Sequence, residues 1–123
     1  MDEVASLVQR YLETWNETNS DTRLAAIQDV WAEDGTYVDP LADVAGHTQI
    51  SNLIGAVQQQ VPGHVFRLRD GIDAHHNIAR FTWELVPANG GESIVEGFDV
   101  AVTEDGGRIR SVLGFLDKAP AAA

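Results

Sequence analysis

The sequence predicts an α+β domain in which three N-terminal helices pack on a curved, mainly antiparallel β-sheet enclosing an apolar pocket. Three observations lead there. Apolar residues recur at helical spacing up to Val61. From His64 onward the repeat changes to the alternation of strands. Glycine-rich turns, Asn89-Gly90-Gly91 and Glu104-Asp105-Gly106-Gly107, then cut the second half into hairpin-length runs.

The first helix carries Val4, Leu7, Val8, Tyr11, Leu12 and Trp15 on one apolar face, with Tyr11 in the middle of the stripe. Polar residues from Asn16 to Asp21 interrupt it, and Asn19, Ser20 and Asp21 are each able to cap the next helix. That helix turns Leu24, Ile27, Val30 and Trp31 inward and is expected to end at Glu33-Asp34-Gly35. A short strand follows, Gly35 to Pro40, then a loop from Leu41 to Gly46. The third helix starts near His47 or Thr48, buries Ile50, Leu53, Ile54, Val57 and Val61, and stops at Pro62-Gly63.

Four strands complete the reading: Val65 to His76, Ile78 to Pro87, Ser93 to Thr103 and Arg108 to Asp117, with Gly71 expected to form a bulge in the first. Alternation puts Phe81, Trp83 and Leu85 on one side, with Val95, Gly97, Asp99 and Ala101, and Val112, Gly114 and Leu116, as their counterparts. Facing the helices, these sets enclose an apolar volume containing one carboxylate, Asp99. The expected lining is Trp15, Tyr37, Ile54 and Phe81, together with Trp83, Val95, Val112 and Leu116. Phe98, Val100, Val102, Leu113 and Phe115 make the opposite face apolar too, which calls for a second cover. A homodimer through that outer sheet face is the expectation.

The chain as a whole narrows the function. Its 123 residues make one domain, expected over residues 1–118 with a disordered tail at 119–123. No apolar run approaches the ~18 residues of a membrane span, and the acidic start is unlike a signal peptide, so the chain reads as cytoplasmic and not membrane-bound. A net charge of −11 argues against a nucleic-acid partner, because phosphate contacts require lysine and arginine. Without cysteine there is no disulfide, thiol nucleophile or zinc-thiolate site.

The stretch Gly35-Thr36-Tyr37-Val38-Asp39-Pro40 is the chemical focus. A strand presents Tyr37 and Asp39 on one face, and Pro40 holds Asp39 extended, so a fixed carboxylate borders the pocket as a candidate general base. The other reading makes Asp39 a turn residue bonding the backbone of Leu41 to Asp43. Tyr11 is read either as a functional donor or as a core tyrosine. Asp99 lies midway along an inward apolar strand, which costs several kcal/mol unless the group is paired or neutral; a bulge turning it outward is the alternative. His75-His76 reads as surface, because adjacent strand residues point oppositely and a metal needs further ligands. Arg67, Arg69 and Asp70 alternate with Phe66 and Leu68 and read as a solvated face.

The order of elements resembles the cone-shaped fold of the nuclear-transport-factor-2-like (SnoaL-like, cystatin-like) superfamily, and within it most closely the ketosteroid isomerases. The resemblance runs from about Tyr11 to Asp117. It is carried by R-Y-L-E (Arg10–Glu13), W-A-E-D-G-T-Y-V-D-P (Trp31–Pro40), G-H-T-Q-I (Gly46–Ile50), A-H-H-N (Ala74–Asn77) and F-D-V-A-V-T-E-D-G-G-R-I (Phe98–Ile109). It implies Asp39 as base, with Tyr11 and Asp99 as the oxyanion-binding pair. Ile54 stands where those enzymes place a supporting tyrosine, and Tyr37 is the candidate substitute. The implied activity is isomerisation or cyclisation by proton transfer next to a carbonyl, on an apolar ligand such as a steroid or polyketide, with no cofactor and no metal. A non-catalytic apolar-ligand binder or dimeric scaffold is the alternative. An epoxide hydrolase of similar fold ranks lower, because Arg80 has the wrong parity to point inside with Phe81 and Trp83.

Overall fold

The computed structural model describes residues 3–119. The last four residues of the expected tail, Pro120 to Ala123, therefore lie outside the described residues. Three helices, α1 (Glu3–Asn16), α2 (Ser20–Val30) and α3 (His47–Gln60), cover one face of a seven-stranded sheet. The strands are β1 (Trp31–Asp39), β2 (Ala42–Ala45), β3 (His64–Leu68), β4 (Asp73–His75), β5 (Ile78–Pro87), β6 (Val95–Thr103) and β7 (Ile109–Lys118). They run in the order β2-β1-β7-β6-β5-β3, with β4 also on β5. Every pairing is antiparallel except β1 with β7.

The α1 stripe is buried as expected: Leu7, Val8, Tyr11, Leu12 and Trp15 all enter the core. Asn19 caps α2, its side chain accepting from the amide of Thr22 at 2.9 Å. Between α2 and α3 a buried arginine, Arg23, donates to Ser51, Gln58 and the carbonyl of Glu17.

Three elements differ from the sequence reading. The second helix ends at Val30 rather than at Glu33–Gly35. Trp31 is already extended and pairs with Ile109 of β7, both fully buried. Continuing the helix would have set Glu33 and Asp34 against the negative end of its dipole. The expected loop Leu41–Gly46 holds β2, which folds back on β1 with Asp39 opposite Ala42; its four residues alternate half-buried and exposed, too short a run to stand out. The long strand Val65–His76 is two strands. Pairing sums shift from Leu68↔Trp83 to Asp73↔Arg80, so two extra residues leave the sheet around Gly71, more than a bulge.

On the outer face Leu113 is 41% and Phe115 57% exposed, and Phe115 packs beside Phe98. Arg67–Glu84, Arg69–Glu96 and Arg80–Asp73 ion pairs cross the same sheet in solvent. Among the described residues no helix is long and apolar enough to cross a membrane.

Candidate active site

Between the helices and the inner face of the sheet lies a cavity of about 530 Å³, within the range of small-molecule sites. Strand parity decides which side chains face it; depth decides which reach it. Leu85 and Val95 pair near its mouth, Trp83 pairs with Gly97 one step deeper, and Phe81 pairs with Asp99 deeper still. Beyond Asp99 the row of Ala79, Ala101 and Val112 is closed core. Asp99 therefore sits on the cavity floor, 2% exposed.

Tyr11 reaches that floor from α1, and its hydroxyl donates to Oδ2 of Asp99 at 3.0 Å. Trp31 and Phe81 hold the phenol ring edge-on at 6.0 and 5.9 Å between centroids. The other carboxyl oxygen of Asp99, Oδ1, is buried with no hydrogen-bond partner. Gly114 on β7 makes the room: a Cβ there would stand 2.8 Å from Oδ1 and 3.4 Å from Cβ of Asp39. That gap is where the two acidic residues come close.

Asp39 ends β1 on the cavity wall, half-buried. The Tyr37 hydroxyl donates to its Oδ2 at 2.6 Å, and the Leu41 amide donates to its Oδ1 at 2.8 Å. Asp39 thus both accepts from the backbone of the turn at Leu41 and lines the cavity. Tyr37 is buried against Trp15, ring centroids 5.5 Å apart.

Burial sets the electrostatics. Desolvation pushes the Asp99 carboxyl up to about 7; the Trp83 indole N–H and the Tyr11 hydroxyl oppose this by favouring the anion, and nearby Asp39 raises it further. Trp83 faces the carboxyl, although its N–H falls short of hydrogen-bond geometry. Tyr11 is raised well above the ordinary phenol value by burial, then by Asp99. Tyr37 is raised likewise by burial, by Asp99 and by its bond to Asp39. Both phenols stay protonated and remain donors near neutral pH.

Of the sequence-predicted set, the cavity brings together Tyr11, Asp39, Asp99, Trp15, Tyr37, Trp83, Val95 and Leu116. Ile54, Phe81 and Val112 do not line it; they belong to the packed core. Leu12, Val57 and Val61 were visible on helix faces, and Phe66 and Leu85 on strands, without being assigned to the lining. Leu41, Gln60, Ile94 and Ala119 also contribute; Leu41 comes from a turn, where periodicity carries no signal, and Ile94 lies just before β6, which starts at Val95 rather than at the expected Ser93.

His75 and His76 lie exposed at the β4–β5 turn, their Nδ1 atoms 3.2 Å apart, away from the cavity. His47 contacts the Trp31 carbonyl and His64 the Pro62 carbonyl. Among the described residues no cluster of three or more potential metal ligands occurs. Arg80 pairs with Asp73 on the outer side.

The family model described as a SnoaL-like domain matches residues 8–112. A crystal structure of a candidate isomerase of the SnoaL-like family from Agrobacterium tumefaciens strain C58 is 38% identical, with a TM-score of 0.89 over 95% of this chain and 99% of that one. An NTF2-like protein of unknown function from Mesorhizobium loti is 23% identical, TM-score 0.68, over 94% of this chain and 92% of that one. A candidate polyketide cyclase from Sinorhizobium meliloti shares the fold at 18% identity, TM-score 0.69, over 89% of this chain and 93% of that one. No curated protein matches.

Proposed function

This chain belongs to the SnoaL-like family, and from that premise we propose that it is an isomerase or cyclase moving a proton next to the carbonyl of an apolar ligand, in the manner of ketosteroid isomerase. The carrying observation is the Tyr11–Asp99 hydrogen bond on the floor of an apolar cavity whose wall holds Asp39. In this reading Asp39 takes the proton from the carbon beside the carbonyl, and the electron pair moves onto the carbonyl oxygen. Tyr11 occupies Oδ2 of Asp99, so the proton of the neutral acid resides on Oδ1, where it donates to the developing oxyanion. Asp39 then returns its proton to a second carbon of the conjugated system. Tyr37 and the Leu41 amide hold the base in place, a different arrangement from a second tyrosine at the position of Ile54.

The test is a 5-ene-3-ketosteroid. Wild type is expected to convert it to the conjugated ketone, and Asp39→Asn to lose about 10²–10⁴-fold in turnover with ligand affinity kept. Equal turnover by both proteins would remove Asp39 as the base.

A second reading has its own support. Both carboxyl oxygens of Asp39 are already engaged, as in a purely structural turn. Tight steroid binding by wild type without turnover would make the cavity a binding site for steroids or polyketides. Either reading takes residues 1–118 as one cytoplasmic domain. It also pairs two copies through the apolar outer face around Leu113 and Phe115.

A further inference from the structure

Among the described residues, three buried side-chain polar atoms lack a partner: Oδ1 of Asp99 and the indole nitrogens of Trp83 and Trp31. Buried donors are nearly always paired, so each calls for an account. Trp31 lies in the closed core, fully buried, where no ligand reaches. Trp83 is different. It is 8% exposed and lines the cavity, as does Asp99.

Their placement is local and specific. Trp83 lies opposite Gly97 across the β5–β6 ladder. A Cβ at Gly97 would fall 2.2 Å from Cζ2 and 2.4 Å from Cε2 of the indole. Cε2 carries the ring nitrogen, so the N–H edge lies over the strand two residues before Asp99, on the same face. Tyr11 occupies Oδ2 and leaves Oδ1 free. An indole N–H donates only, and the Asp99 carboxyl that it faces lies outside hydrogen-bond geometry, so its proton is available to a ligand oxygen placed between them.

We infer that the Trp83 N–H and Oδ1 of Asp99 grip one oxygen of the ligand, which makes Trp83 a specificity-determining donor for apolar ring compounds bearing a carbonyl or phenolic oxygen. A ketone accepts from both groups when Asp99 is protonated. A phenol accepts from Trp83 and donates to Asp99 when it is not. Apolar side chains of the wall, including Phe66, Leu85 and Val95, are placed to meet the carbon skeleton of such a ligand.

The inference rests on the cavity being the ligand site but not on turnover, so a failed Asp39→Asn experiment leaves it standing. Its probes are 2-naphthol and naphthalene, titrated against the whole chain by NMR. Wild type is expected to bind the naphthol more tightly. Trp83→Phe should weaken naphthol binding about five- to tenfold, the range of one neutral hydrogen bond, and leave naphthalene within about twofold. The same loss should persist in an Asp99→Asn background. No preference for naphthol in wild type, an equal loss for both probes, or disappearance of the loss in Asp99→Asn would each overturn it. If Trp83→Phe fails to fold, the wild-type Trp83 indole proton gives the answer. It should shift downfield with naphthol and stay put with naphthalene; a shift with both or with neither overturns the inference.

Discussion

Replacing Asp99 with asparagine tests the electrostatics of the cavity floor without any ligand. Asparagine keeps the shape and removes the charge. The folded carboxyl titrates at about 7 against an ordinary value of 3.8, because burial penalises the anion. A raised carboxylate value means the fold binds a proton that the unfolded chain has released. The stabilising contribution of the neutral form is therefore complete below 3.8 and is lost as pH rises to about 7. At 1.36 kcal/mol per pH unit, that interval amounts to about 4 kcal/mol, of which about 1 kcal/mol is already lost at about pH 4.5. Urea unfolding of both proteins at about pH 4.5 and about pH 8 exposes the effect, since groups away from the cavity titrate alike in the two. Asp99→Asn should gain about 3 kcal/mol relative to wild type between the two conditions, a large share of a typical domain's stability. A difference between the two proteins that is constant with pH, or that moves the other way, would refute a buried, largely neutral acid at this position.

Two further outcomes follow from the packing. Gly114→Ala puts a methyl group 2.8 Å from Oδ1 of Asp99. It should cost about 1–3 kcal/mol by urea unfolding and lower ligand affinity by displacing the carboxyl, whereas unchanged stability and affinity would show that the gap is not needed. Phe115→Glu places a charge at the 57% exposed centre of the outer apolar face. Light scattering should find wild type dimeric and the variant monomeric at micromolar concentration; a monomeric wild type would rule out the dimer.

Much of this architecture was legible because hydrophobic period is a local property. The stripe from Leu7 to Trp15 and the alternation from Phe81 to Leu85 each declare their inner face within a few residues. Tyr11, Asp39 and Asp99 stood out because a phenol and two carboxylates at inward positions are chemically conspicuous. Depth was not legible. Phe81 and Trp83 have the same parity, yet one is taken up by the packed core and the other lines the cavity. Trp31 misled for a related reason: it is apolar at the right helical spacing, and only its partner Ile109, distant in the chain, makes it a strand residue. The shared face of Tyr37 and Asp39 and the turn bond from the Leu41 backbone were each legible as separate readings, but not that one carboxylate would serve both, one oxygen to each.

The parallel pairing of β1 with β7 decides when the pocket comes into being. Asp39 and Asp99 become neighbours only across Gly114, on the last strand of the fold. Among the described strands β7 comes last in the chain, so the two carboxylates can be brought together only once it is in place between β1 and β6. Contacts spanning so much of the chain make for slow folding. Without that strand the Asp99 carboxyl would lack one wall of its enclosure.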